Sequence, residues 1–385
     1  MELDWVWILI GLPLAFGLGW MASRLDLRQL RIDNRQAPRA YFKGLNYLLN
    51  EQQDQAIDAF IEAVQNDPDT SELHFALGNL FRRRGEYERA VRVHEHLMQR
   101  GDLSSADRQR AQHGLALDFL KAGLLDRAED ALRKLEGTTF EGQARLARLA
   151  IYERSREWPQ ASAVAAQLEN SGEANFAVRQ AHYLCEQARE RHAQSDPAGA
   201  QALLLQALQV APQSGRARIL LGQLQLSQGQ AVKALQTLQP LFDTQALTAP
   251  LAAASMAKAA PVAGQTQQVL ATLRAHYDQA PGLDVLEAIV ALEALSPDTA
   301  ALARSRYIDH LKHQPSLIAA SRWLAGETFT QEASHPPIQA ALDLAAKPLA
   351  RYRCAACGFE AKEHFWHCPG CQAWDSYPPR RVEEL

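Results

Sequence analysis

Four of the chain's five cysteines stand close together near its end, as two C-x-x-C pairs: Cys354 with Cys357, and Cys368 with Cys371, ten residues apart. A C-x-x-C step bends the backbone so that two thiolates can meet one ion, and two such steps make a closed tetrahedral site. Gly358 and Gly370 suit the tight conformations of such turns. Four sulfur donors accept zinc or a single iron and leave no position open for a substrate. The alternative, four unrelated reduced thiols, does not explain the symmetric spacing. His364 and His367 lie nearby, but four cysteines already complete the shell, so both are placed outside it. Tyr352, Phe359, Phe365, Trp366, Trp374 and Tyr377 form an aromatic set able to pack over the cluster. A segment this short cannot fold on core burial alone, so the metal should supply most of its stability.

The rest of the chain offers little chemistry. Its 385 residues carry a formal charge of −4, with Lys and Arg scattered, which argues against nucleic acid as a partner. Few cysteines outside the pairs, and none suggesting a disulfide framework, point to a reducing compartment. Lone Cys185 reads as a small buried apolar residue. His74, His94, His96, His113 and His182 have no acidic or thiol partners recurring at ligand spacing and read as groove or surface residues. No nucleophile elbow, P-loop, H-E-x-x-H or dinucleotide fingerprint is present. No catalytic residue is expected.

The elements that must carry the cysteines are helical. Abundant Ala, Leu and Gln with only 7% aromatic residues favour helices over sheets. Gly44 and Gly78, Tyr47 and Phe81, and Ala56 and Ala90 are each 34 residues apart. That period and residue set resemble the tetratricopeptide repeat. The small residues let paired helices approach closely, Tyr47, Phe60 and Phe81 fill the space between, and Pro68 ends the second helix. Looser copies carry Phe119, Gly123 and Ala128, then Tyr152 and Ala161, then Pro212, and then Gly222, Gly229 and Ala234. The count is about six clear units and two or three degenerate ones. The stretch "RGDLSSADRQ" is read as an insertion that lengthens a helix or loop. Such repeats build a superhelix whose concave face binds proteins or peptides. A generic helical bundle would not fix Gly, aromatic, Ala and Pro in one period.

At the other end, Trp5 to Ala22 contains no charge and as a helix would span about 27 Å, close to a bilayer's hydrocarbon thickness. Trp5, Trp7 and Trp20 sit near its ends. The start Met-Glu-Leu-Asp lacks the positive region of a cleaved signal peptide, which favours a retained anchor. Arg24, Arg28, Arg31, Arg35 and Arg39 all follow it, so the N-terminus is expected to point outward, into the periplasm, and the bulk to lie in the cytoplasm. The expected layout is an anchor at 1–22, a basic linker at 23–38, a repeat superhelix at 39–345 and a metal-knuckle module at 346–385. The fold class is all-α.

"CAACG" and "CPGC" resemble rubredoxin knuckles, which favours iron by analogy and leaves zinc chemically plausible. Anchor, tetratricopeptide array and terminal rubredoxin-like knuckle, in that order, resemble the lipopolysaccharide assembly protein B family of Gram-negative inner membranes along the whole chain. The resemblance implies a non-enzymatic adaptor that regulates lipid A synthesis by promoting degradation of the LpxC deacetylase by the membrane protease FtsH. It also implies scaffolding of other lipopolysaccharide-biosynthesis membrane proteins, and Cys354, Cys357, Cys368 and Cys371 as metal ligands. Two other readings stand beside it: a rubredoxin-like electron-transfer protein on a repeat scaffold, and a membrane-tethered assembly chaperone.

Overall fold

The computed structural model of the chain describes residues 14–18, 20–21, 42–67, 70–172, 175–244, 247–328 and 334–385. Residues 14–18 and 20–21 are helical, with Leu14, Phe16, Leu18, Trp20 and Met21 all exposed. The rest of the expected anchor, the arginines that follow it and Pro68 lie outside the described residues. Among the described residues no helix is long and apolar enough to cross a membrane.

The chain divides into two compact units, Met1–Ile151 and Tyr152–Leu385. The first holds α1 (42–49), α2 (Gln53–Asn66), α3 (Ser71–Arg84), α4 (Tyr87–Gln99), α5 (Ser105–Ala122), α6 (Leu125–Arg133) and most of α7 (Glu141–Ser155). The second starts with the end of α7 and adds α8 (Trp158–Asn170), α9 (Ala177–Ala193), α10 (Pro197–Val210), α11 (Gly215–Ser227), α12 (Ala231–Thr244), α13 (Pro250–Val262) and α14 (Thr266–Gln279). It continues through α15 (Leu283–Glu293), α16 (Pro297–His313), α17 (Leu317–Leu324) and α18 (His335–Leu349). A two-residue hairpin then pairs β1 (Tyr352–Arg353) with β2 (Glu360–Ala361), antiparallel. The expected all-α repeat array is present, and "RGDLSSADRQ" leads into α5, a helix of 18 residues.

The helices form hairpins joined by one recurring turn. Glu51, Gly85, Gly123, Arg156, Ser195, Gly229 and Gly264 each take a left-handed conformation between two helices. After each, the next N–H reaches back to the carbonyl five residues earlier, as Glu86 does to Phe81 at 2.9 Å and Gln230 to Gln225 at 2.9 Å. This is the αL cap that satisfies a helix's last carbonyls. Five residues past six of these turns stand Ala56, Ala90, Ala128, Ala161, Ala200 and Ala234, all buried; Val269 holds the seventh place. The small residues have the expected purpose: a Cβ at Gly44 would lie 2.8 Å from the Phe60 ring, and one at Gly222 would lie 2.6 Å from Leu238.

Three of the histidines differ from expectation. His74, His94 and His182 are buried rather than on the surface. His94 is wedged between Gly78 and Gly114, either of which would clash with it if it carried a Cβ. Its Nδ1 lies 2.5 Å from Asp118, a fully buried carboxylate that also accepts from Arg82 at 2.8 Å. A buried charge is tolerated only with such partners. Cys185 is fully buried, and burial pushes its thiol up to about 12, as expected of an inert packing residue.

Candidate metal centre

The two knuckles are near copies of one another. In the first, Gly358 N–H donates to Cys354 O and Cys354 N–H to Phe359 O, both at 2.9 Å; in the second, Gln372 N–H donates to Cys368 O and Cys368 N–H to Ala373 O, again both at 2.9 Å. The left-handed residues are Gly358 and Gln372, at φ 78° and 60°. Gly370, expected to meet that need, does not adopt a positive φ. A Cβ there would make ordinary contact with Phe359 at 3.4 Å.

These turns bring all four sulfurs within 4.8 Å of one another, and the described residues hold no other such group of metal donors. Cys354 Sγ lies 3.8 Å from Cys371 Sγ, and Cys357 Sγ 3.7 Å from Cys368 Sγ. A tetrahedral ion with metal–sulfur bonds of about 2.3 Å requires sulfur–sulfur edges of about 3.8 Å, so the donor set fits zinc or iron. The electrostatics agree. Burial opposes ionisation of Cys354, but the nearby Ser376 hydroxyl and the Cys357 and Ala356 N–H groups outweigh it and lower that thiol to about 6. At Cys357 the Phe359 N–H favours the thiolate, yet burial and the neighbouring sulfurs prevail and raise it to about 12. Four thiolates this close need a cation among them. His364 and His367 stay outside the cluster: His364 Nε2 donates to Tyr377 O at 2.9 Å, and His367 stacks on Trp374.

Only part of the aromatic set covers the sulfurs. Tyr352 and Tyr377 share a small core with Cys354 and Cys368, while Phe359 and Phe365 are exposed. Trp366 and Trp374 turn the other way and pack on the helices of the second unit. The physical reason is size: a module this small gains more by burying its largest rings against a neighbour than by folding them over itself.

Trp374 is the centre of that contact. Its ring lies between His367, at 4.2 Å and 19°, and His182 of α9, at 4.8 Å and 22°. Trp158 and Tyr183 meet it edge-on. Its indole N–H donates to Glu153 at 3.1 Å, and Glu153 also accepts from Arg179 at 2.7 Å and from the Tyr183 hydroxyl. The adjacent Asp375 lies 2.9 Å from His182 Nε2. In a second contact Tyr352 donates to Asp284 at 2.7 Å, and Arg381 holds the other Asp284 oxygen while covering the Tyr352 ring at 4.4 Å. Glu383 accepts from Ser316 Oγ at 2.6 Å and from the first N–H groups of α17; Glu384 accepts from Leu283 N–H at 2.7 Å. Each carboxylate thus caps a helix N-terminus. Sequence reasoning singled out none of Glu153, Arg179, Asp284, Arg381, Glu383 or Glu384. Their partners lie up to 221 residues away, a separation no local pattern encodes.

Comparison with known proteins agrees with this anatomy. The rubredoxin metal binding domain family matches residues 352–378, and tetratricopeptide repeat families match residues 43–93 and 191–259. Lipopolysaccharide assembly protein B of Escherichia coli strain K12 is 31% identical over 96% of this chain and 97% of its own length. The Haemophilus influenzae protein of that name is 26% identical over 97% of this chain and 98% of its own. A relative 31% identical over nearly the whole of both chains, together with the rubredoxin and tetratricopeptide matches, places the chain in the lipopolysaccharide assembly protein B family.

Proposed function

We propose that this chain is a non-enzymatic inner-membrane adaptor that regulates lipopolysaccharide biosynthesis by bringing the LpxC deacetylase to an FtsH-type protease. In this reading it also gathers other lipopolysaccharide-biosynthesis membrane proteins. The observation that carries the reading is the full-length likeness to relatives named lipopolysaccharide assembly protein B. The metal site adds support, because a closed four-sulfur shell buttressed by helices offers a rigid face and no open coordination position.

The roles divide by segment. Residues 1–22 anchor the chain with the N-terminus in the periplasm, and 23–38 form a basic cytoplasmic linker. Residues 39–345 supply the protein-binding repeats, and 346–385 form the module. Cys354, Cys357, Cys368 and Cys371 hold one iron ion, whose part is to fix the knuckles. Confining adaptor and protease to one membrane raises the effective concentration of each for the other without any new contact.

Crosslinking in cells followed by purification of the full chain tests this. The adaptor reading expects both protease and deacetylase in the crosslinked material. Their absence beside a different stable complex would instead support an assembly chaperone. Reversible reduction of the iron by a catalytic electron donor would support electron transfer.

A further inference from the structure

The second unit contains a cleft of about 600 Å³ between the second knuckle and the helices that receive it. We propose that this cleft binds an extended acidic peptide segment of a partner protein. Its volume falls in the range of about 300–1,000 Å³ typical of ligand sites.

The charges favour an acidic occupant. Of the three carboxylates at the cleft, Glu153 already accepts from Arg179, Trp374 and Tyr183, Glu186 faces Arg216 and Arg189, and Glu363 is exposed, set against the four arginines Arg154, Arg156, Arg189 and Arg216. Arg154 and Arg156, exposed on the rim, have no acidic partner among the described residues. Arg216 is 2% exposed; its terminal nitrogens face Glu186 and His182, but its Nε has no acceptor. Burying such a donor unpaired is unfavourable, so an acceptor belongs there.

The remaining polar atoms favour a peptide over a small anion. A carbonyl can only accept, so His364 donates Nε2–H to Tyr377 O and its buried Nδ1 is left as an acceptor. His367 likewise bonds the Gln372 backbone and leaves Nε2 without a partner. The cleft therefore presents both a donor and acceptors. A peptide backbone repeats both complements along its length, whereas a free carboxylate supplies acceptors alone and phosphate gathers its acceptors and its one or two hydroxyl donors on a single centre. Trp158, Ile219 and Trp366 line the same space and suit an apolar side chain between the acidic ones.

This inference rests on the adaptor reading only in taking a polypeptide as the occupant. The test uses the metal-loaded full chain in detergent micelles and a fluorescein-labelled peptide of sequence Glu-Glu-Leu-Glu-Glu-Leu, followed by fluorescence anisotropy. Saturable binding is expected, weakened at least about tenfold by Arg154→Glu with Arg156→Glu. The glutamine version of the peptide should bind less tightly, and equimolar inorganic phosphate should not displace the acidic one. Both substituted positions are exposed, and thermal melting checks that the variant folds. Three results would overturn the inference: no saturation up to about 1 mM, equal affinity in the variant, or displacement by phosphate. Deacetylase level after depletion of the chain tests the adaptor reading without the peptide, so the two failures are distinguishable.

Discussion

Trp374 shows how a single side chain joins the metal module to the repeats. It stacks between two imidazoles and donates to a carboxylate, the arrangement of an aromatic anchor in a well-packed contact. Trp374→Ala should cost about 3–5 kcal/mol, and hydrogen exchange should rise in α9 and across residues 352–378 while metal content is kept. Unchanged exchange in α9 would show that the module is held elsewhere. The four cysteines could be read from the sequence because metal chemistry fixes their spacing locally. His182 and Glu153 could not, since their roles depend on a tryptophan about two hundred residues away. Gly370 departs from expectation for a related reason. The left-handed position in the second knuckle belongs to Gln372, and only the backbone reveals it.

At the scale of elements, seven helical hairpins among the described residues share one turn and one phase, yet the sequence pattern fades after the fourth. Four residues before the turn stand Tyr47, Phe81, Phe119 and Tyr152, then Arg191, Gln225 and Ala260. The backbone bond at that place is independent of side chain, so the fold persists where the aromatic signature does not. Glu51, Arg156 and Ser195 adopt the turn's left-handed conformation without being glycine, which removes a second signal. A non-glycine residue there bears about 1–2 kcal/mol of strain, partly offset by its smaller loss of chain entropy. Ser195→Gly, at an exposed position, should therefore raise unfolding free energy by up to about 1 kcal/mol in chemical denaturation. A fall would contradict this account of the turn. The module's own elements are too small to stand alone. Chelating the metal should raise exchange throughout residues 352–378 and release Trp374 from α9, read as a change in tryptophan fluorescence. If chelation leaves both unchanged, the helices rather than the ion hold the knuckles.

For the molecule as a whole, burial lowers the pKa of His276 and, against a weaker pull from Glu383, of His310. Both are harder to protonate when folded than when unfolded, where a histidine titrates near 6.5. Above that pH the two states bind protons alike. Below it the unfolded chain takes up protons that the folded chain refuses, so stability falls as pH falls. Exchange protection in α14 and α16 should therefore decline between about pH 7.5 and 5.5. Constant or rising protection would mean that these histidines do not couple folding to pH. The all-α repeat array and the metal module could be read at this scale because period and order are global features of the sequence. What the repeats capture could not, because a repeat fold does not name its partner. The most direct test of the adaptor claim is the half-life of the deacetylase by pulse-chase in cells depleted of the chain, complemented with either the full chain or one lacking residues 1–22. The account predicts a long half-life on depletion, restoration of rapid turnover by the full chain and little restoration by the truncated one. A deacetylase half-life indifferent to the presence of the chain would contradict it.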